Sequence, residues 1–164
     1  MHQSLLDLPP RGVSAKIRVD GAGLAAKGRP ASAASAAPQP TRYDLAEIVI
    51  PDGFTVARRP GQLELTHVDQ KRGFFVQLVV YPSRPSLGSP QQDFAAEWRQ
   101  TVATSFVADA VPAPSASQTS GGVPFLEGGS AVSSSIGRSY VHLFVFQLGG
   151  KIMTLMVTGS KRET

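Results

Sequence analysis

The chain has 164 residues, 41% of them hydrophobic, with 16 Lys and Arg against 12 Asp and Glu, three His and no Cys. That length allows one domain plus a tail with a substantial core, and the lack of cysteine excludes disulfides, thiol catalysis and Cys-based metal sites. The net charge of +4 lies wholly in residues 1–42, where Arg11, Lys16, Arg18, Lys27, Arg29 and Arg42 face only Asp7 and Asp20, so the folded part has no nucleic-acid-binding excess.

From Gly21 to Pro40 the chain is nearly all Ala, Gly, Ser and Pro. Such a segment cannot offset its ordering entropy by burial, so residues 1–42 are expected to be a disordered tail and 43–164 the folded domain. Gly21-Ala22-Gly23-Leu24-Ala25-Ala26 imitates a dinucleotide fingerprint, but Gly28 and Pro30 end any helix and no βαβ unit follows. Leu5-Leu6-Asp7-Leu8 runs straight into Pro9-Pro10, so no secretory core is expected. No run reaches the length of a membrane span. The location expected as written is cytoplasmic, or periplasmic should an export signal lie upstream.

Leu45–Ile50 is a predicted strand closed by the turn Pro51-Asp52-Gly53. Phe54–Arg58 is the next, Pro60-Gly61 turns the chain, and Leu63–Val68 alternates with Leu63, Leu65 and His67 on one face. Phe74–Tyr81 is nearly continuous hydrophobe and reads as an inner strand. Ser89 opens the main helix, with Pro90 at its first position and Gln92 completing a capping box. Phe94, Trp98, Val102 and Phe106 form its apolar stripe, which places the helix at 90–107. Ala110–Gly122 reads as a loop with room for a short strand. Val123–Glu127 and Ala131–Ser135 read as a weak hairpin around Gly128-Gly129.

The last unit is the most informative. Tyr140–Leu148 and Lys151–Val157 flank Gly149-Gly150, a pair suited to the two-residue turn that needs positive φ. That turn pairs Leu148 with Lys151, Phe146 with Met153, Phe144 with Leu155 and His142 with Val157. Both faces of this hairpin are apolar, as in a central strand pair covered on two sides. Several strands, one helix and several more strands predict an α+β domain: an antiparallel sheet with one main helix packed on it.

One helix cannot cover both faces. An interaction surface is therefore expected on one side of the hairpin, either Val141, Leu143, Val145, Ile152 and Met156 or Phe144, Phe146, Met153 and Leu155. "IPDGFTV" (50–56), "VVYPSRP" (79–85), "DFAAEW" (93–98) and the closing "YVHLFVFQLGGKIMTLMV" (140–157) resemble the Mog1/PsbP-like superfamily, most closely its small bacterial DcrB/PsbP-type members. The resemblance implies a central antiparallel sheet between helices and a binding, adaptor or assembly role without a shared catalytic motif. On this reading the usual C-terminal helix of that superfamily is not expected after the closing hairpin.

Catalytic chemistry finds little support. His2, His67 and His142 have no paired metal-ligand spacing, and His142 reads as a core or edge histidine. Ser133-Ser134-Ser135 lacks a nucleophile elbow, Asp93 and Glu97 suit a helix start better than an acid–base pair, and Trp98 reads as core. The expected function is a non-enzymatic protein-binding or adaptor domain, with a protein partner or self-association and no cofactor. The alternative is a small-molecule or lipid-binding domain using an uncovered apolar sheet face, and an enzyme comes third.

Overall fold

The computed structural model describes residues 16–19, 40–135 and 137–161. In chain order the strands are β1 (Lys16–Val19), β2 (Thr41–Tyr43), β3 (Ala46–Val49), β4 (Thr55–Arg59), β5 (Gln62–Asp69), β6 (Phe74–Val80) and β7 (Arg84–Pro85). Helix α1 (Pro90–Glu97) and a π-helical turn (Trp98–Val102) follow, then β8 (Val107–Ala108), β9 (Ser115–Gln118), β10 (Pro124–Ser134), β11 (Gly137–Leu148) and β12 (Lys151–Lys161). The main sheet has the order β4-β5-β6-β12-β11-β10-β8, with β7 paired to β12 and β9 to β10. A second, three-stranded sheet has the order β1-β3-β2. All pairings are antiparallel.

The closing hairpin forms in the expected register, Leu148 opposite Lys151 through His142 opposite Val157. Gly149 and Gly150 have φ of 58° and 83°, the mirror-image turn that matches strand twist. One face of this hairpin lies under the helix, where Phe94, Trp98 and Val102 meet Val141, Leu143, Val145, Ile152 and Met156. The other face lies under the small sheet, where Ala46 and Ile48 of β3 meet Leu63, Leu65, Leu78, Phe146, Met153 and Leu155.

Four expectations are corrected. The fold is nearly all-β rather than α+β, because the only helix among the described residues spans 13 residues. It stops at Val102 instead of reaching 107. Thr101 and Thr104 hydroxyls donate back to the Glu97 and Gln100 carbonyls, and the Ala103 amide bonds to Trp98 five residues earlier. Such back-bonding and widening bend a helix out of its regular ladder. Gly128-Gly129 is no turn but the middle of β10, which runs unbroken from Pro124 to Ser134. Finally, the tail contributes a strand: β1 pairs with β3, Lys16 opposite Val49 to Val19 opposite Ala46. Thr41 and Arg42 at the end of the expected disordered segment lie in β2, and its residues 1–15 and 20–39 lie outside the described residues.

The helix start matches its sequence signals. Ser89 is extended (φ −141°), its hydroxyl accepts the Gln92 amide at 3.3 Å, and Pro90 needs no donor there. No helix among the described residues is long and apolar enough to cross a membrane.

Candidate functional site

Neither expected interaction surface is open as a whole. Val141, Leu143, Val145 and Ile152 are 0% exposed beneath the helix, and Met156 is buried with them. This face is interior, because the helix stripe chose it. Phe146, Met153 and Leu155 are buried on the opposite side, covered by the small sheet in place of a second helix. Of the nine positions on the two surfaces, only Phe144 stays partly open, packed at the margin of the small-sheet cluster.

The flank of the helix carries the densest polar group. Asp93, fully buried, accepts the Leu87 amide at 2.7 Å and the Ser86 hydroxyl at 2.6 Å. Glu97 accepts the Arg84 guanidinium at 2.6 Å through Nε, with a second contact from the other branch. Arg59 pairs with Glu64 at 2.9 Å, and Gln62 donates to the same carboxylate. Tyr81 lies within the field of both carboxylates: burial raises its phenol above the ordinary 10.0, and Glu97 and then Glu64 add to that. Asp93 and Glu97 thus do more than complement a helix dipole. They clasp the β7 segment to the helix, and because each carboxylate is bonded to chain groups the cluster reads as a clamp rather than a reaction centre.

A different arrangement lies on the far side of the main sheet, along β10 and β11. Phe125, Glu127, Gly129 and Ala131 share this face with Phe146, Phe144, His142 and Tyr140, to which they are paired in turn. The rings form a continuous chain. Phe146 and Phe125 have centroids 5.2 Å apart, Phe125 and Phe144 6.0 Å, Phe144 and His142 4.6 Å, and His142 and Tyr140 6.4 Å. Exposure rises along it from Phe146 at 7% to Tyr140 at 47%. His142 Nε2 is 3.1 Å from Glu127 Oε2, which fixes the imidazole against Phe144. Val107 of β8 pairs with Ser133 on this same face and is 74% exposed.

Gly129 is what lets this surface form. A Cβ there would lie 2.6 Å from the Tyr140 hydroxyl and 2.9 Å from His142 Nδ1, so both side chains rest on bare β10 backbone. Gly128 does the same on the opposite face, where a Cβ would lie 3.0 Å from Phe94. Reading the pair as a turn cuts β10 in two, so Phe125 and Glu127 are not aligned with Gly129 and Ala131 opposite Tyr140, and Val107 is assigned to the helix end. The signal that could have found them is the alternation Phe125, Glu127, Gly129, Ala131 against Leu126, Gly128, Ser130, Val132.

The other singled-out residues have structural settings. His67 packs between Phe54 and Phe74 with its ring tilted against both and bonds the Gly53 carbonyl at 2.9 Å across the Pro51–Phe54 turn. Trp98 is 1% exposed, at the centre of the helix-side core. Ser133 and Ser134 end β10 opposite Arg138 and Gly137. No three His, Asp or Glu among the described residues group as metal ligands. Comparison with protein-family models and with curated proteins found no match, so no finding identifies the chain with the Mog1/PsbP-like superfamily.

Proposed function

We propose that this chain is a non-enzymatic protein-binding domain whose contact surface is the aromatic strip of β10 and β11. The single observation behind this reading is the run of touching rings from Phe146 to Tyr140, which carries buried core outward to an exposed tyrosine. Partly exposed aromatic side chains supply large contact area at low entropy cost, and Tyr is prominent among residues that dominate interface energetics. The strip is also charge-selective. Glu127 is its carboxylate, so a partner segment with apolar side chains and a Lys or Arg suits it.

Panning a displayed peptide library on the full chain tests this. Enriched peptides should combine aromatic or aliphatic residues with a basic one, and should bind Tyr140→Ala at least about tenfold more weakly than the wild type. Tyr140 is exposed enough that its truncation leaves the core alone. Enrichment no better than on Tyr140→Ala, or of acidic peptides only, would count against the strip.

A further inference from the structure

We infer that the partner segment binds as an added β-strand on the free edge of β9, placing a basic side chain toward Glu127. This rests on the strip being a contact surface and specifies the shape and chemistry of what it takes.

Among the described residues β9 pairs with β10 alone, and all four of its residues are exposed. Its register is Ser117 opposite Phe125 and Ser115 opposite Glu127. The direction of its backbone groups follows from two neighbours. The Thr119 amide donates to the Val123 carbonyl at 2.9 Å, which makes that rung a hydrogen-bonded one. Rungs alternate in an antiparallel pair, so Ser117 and Ser115 also bond inward to β10. The rung between them and Thr119 places Gln118 opposite Pro124, which has no N–H to give. Ala116 and Gln118 therefore turn their N–H and C=O groups outward, where an incoming extended chain can bond to them.

The edge is undefended. Ser115-Ala116-Ser117-Gln118 has no charge and no proline, while β4 at the opposite edge of the sheet carries Arg58 and Arg59. Charged and proline residues are the usual guards of a strand edge. Pro112 and Pro114 limit the open stretch on one side, so the docking length is short and specific.

Charge and size then choose the occupant. On the strip face the added strand would lie beside Ser115 and Ser117, whose small side chains do not screen Glu127 and Phe125. Two strand spacings, roughly 10 Å, separate it from β10, a gap that a lysine or arginine stem can bridge toward a carboxylate. The residue opposite Ser115 is accordingly basic, and the one opposite Ser117, two positions away, is apolar and lies toward Phe125.

The test uses the full chain and a Thr-rich synthetic octapeptide carrying Lys and Phe two positions apart, with a counterpart in which glutamate replaces the lysine. Ala116→Pro removes one outward N–H and leaves the inward rungs intact, so it should weaken the lysine peptide at least about tenfold without changing the circular dichroism. Glu127→Gln should reduce the preference for lysine over glutamate. Amide exchange at Ala116 and Gln118 should slow when the lysine peptide is added to the wild type, a readout that holds even if Ala116→Pro folds poorly. Unchanged exchange, with peptide binding lost in Tyr140→Ala, would overturn strand addition and leave the strip reading standing. No binding to the wild type by this peptide or by any panned one would overturn both. Dimers in sedimentation that Ala116→Pro dissociates would assign the edge to a second copy and overturn the partner assignment.

Discussion

Replacing Trp98 by Ala and by Phe separates two contributions of one side chain. The indole is 1% exposed, stacked on Phe94 with centroids 6.2 Å apart, and packed in the cluster that includes Val141, Leu143 and Met156. Truncation to Ala leaves a cavity under the helix that covers this face, and such losses cost about 3–5 kcal/mol. The Phe substitution keeps most of the ring and deletes Nε1–H, a buried donor with no acceptor within reach. An unpaired buried donor costs about 1–3 kcal/mol, so its removal offsets much of the lost volume and Trp98→Phe should fall within about 1 kcal/mol of the wild type. Urea unfolding followed by far-ultraviolet circular dichroism is the appropriate assay, since Trp98 is the only tryptophan and its fluorescence disappears in both variants. A Phe variant as unstable as the Ala variant would show that the indole N–H has a partner. An Ala variant within about 0.5 kcal/mol of the wild type would refute the anchor role altogether.

Three further outcomes are expected. Glu97→Ala leaves the Arg84 guanidinium, 29% exposed, beside the helix without its carboxylate, and should cost about 3 kcal/mol in urea unfolding, the low end for a broken buried pair. Tyr81 has its phenol pKa raised by burial and then by Glu97 and Glu64, so the native state holds that proton more tightly than the unfolded chain. The resulting stability is fully present below pH 10.0 and lost as pH rises through the raised native value; Tyr81→Phe should flatten the alkaline limb of stability against pH, and an unchanged limb would contradict the burial argument. Gly128→Ala forces a methyl to 3.0 Å from Phe94 and 3.2 Å from Pro112, an overpacking expected to lower stability by about 1–3 kcal/mol, read as a shift in the denaturation midpoint.

The parts of the fold legible in the sequence are those where local chemistry and burial agree. Gly149-Gly150 demands positive φ and sits between alternating hydrophobes, so both turn and register of the closing hairpin follow. Ser89-Pro90 likewise marks a helix start that tertiary packing leaves alone. The helix end was not legible, because Phe106 continues the apolar stripe although hydroxyl back-bonding has already broken the ladder at Thr101 and Thr104. The cover on the second face was missed although its strand was legible: Leu45–Ile50 reads as a strand, but alternation does not show that β3 leaves the main sheet for a separate one and lays Ala46 and Ile48 across the hairpin.

The candidate surface was missed for a related reason, and the reason explains how it is built. A Gly-Gly pair in a strand-rich chain favours a turn only when positive φ is what the glycines provide. In β10 they provide absence of bulk instead, and on both sides of one strand. Gly128 admits Phe94 and Pro112 from the helix side, while Gly129 admits Tyr140 and His142 from the strip side. Successive residues of a strand point to opposite faces, so adjacent glycines thin the sheet at one place on both. The helix-side packing and the outer ring chain therefore meet at the same two residues, and a methyl at either would push on a different layer. The surface is in this sense an extension of the core: its rings keep their positions because the strand beneath them, bonded on one side to β11 and on the other to β8 and β9, is held by the packing of the helix.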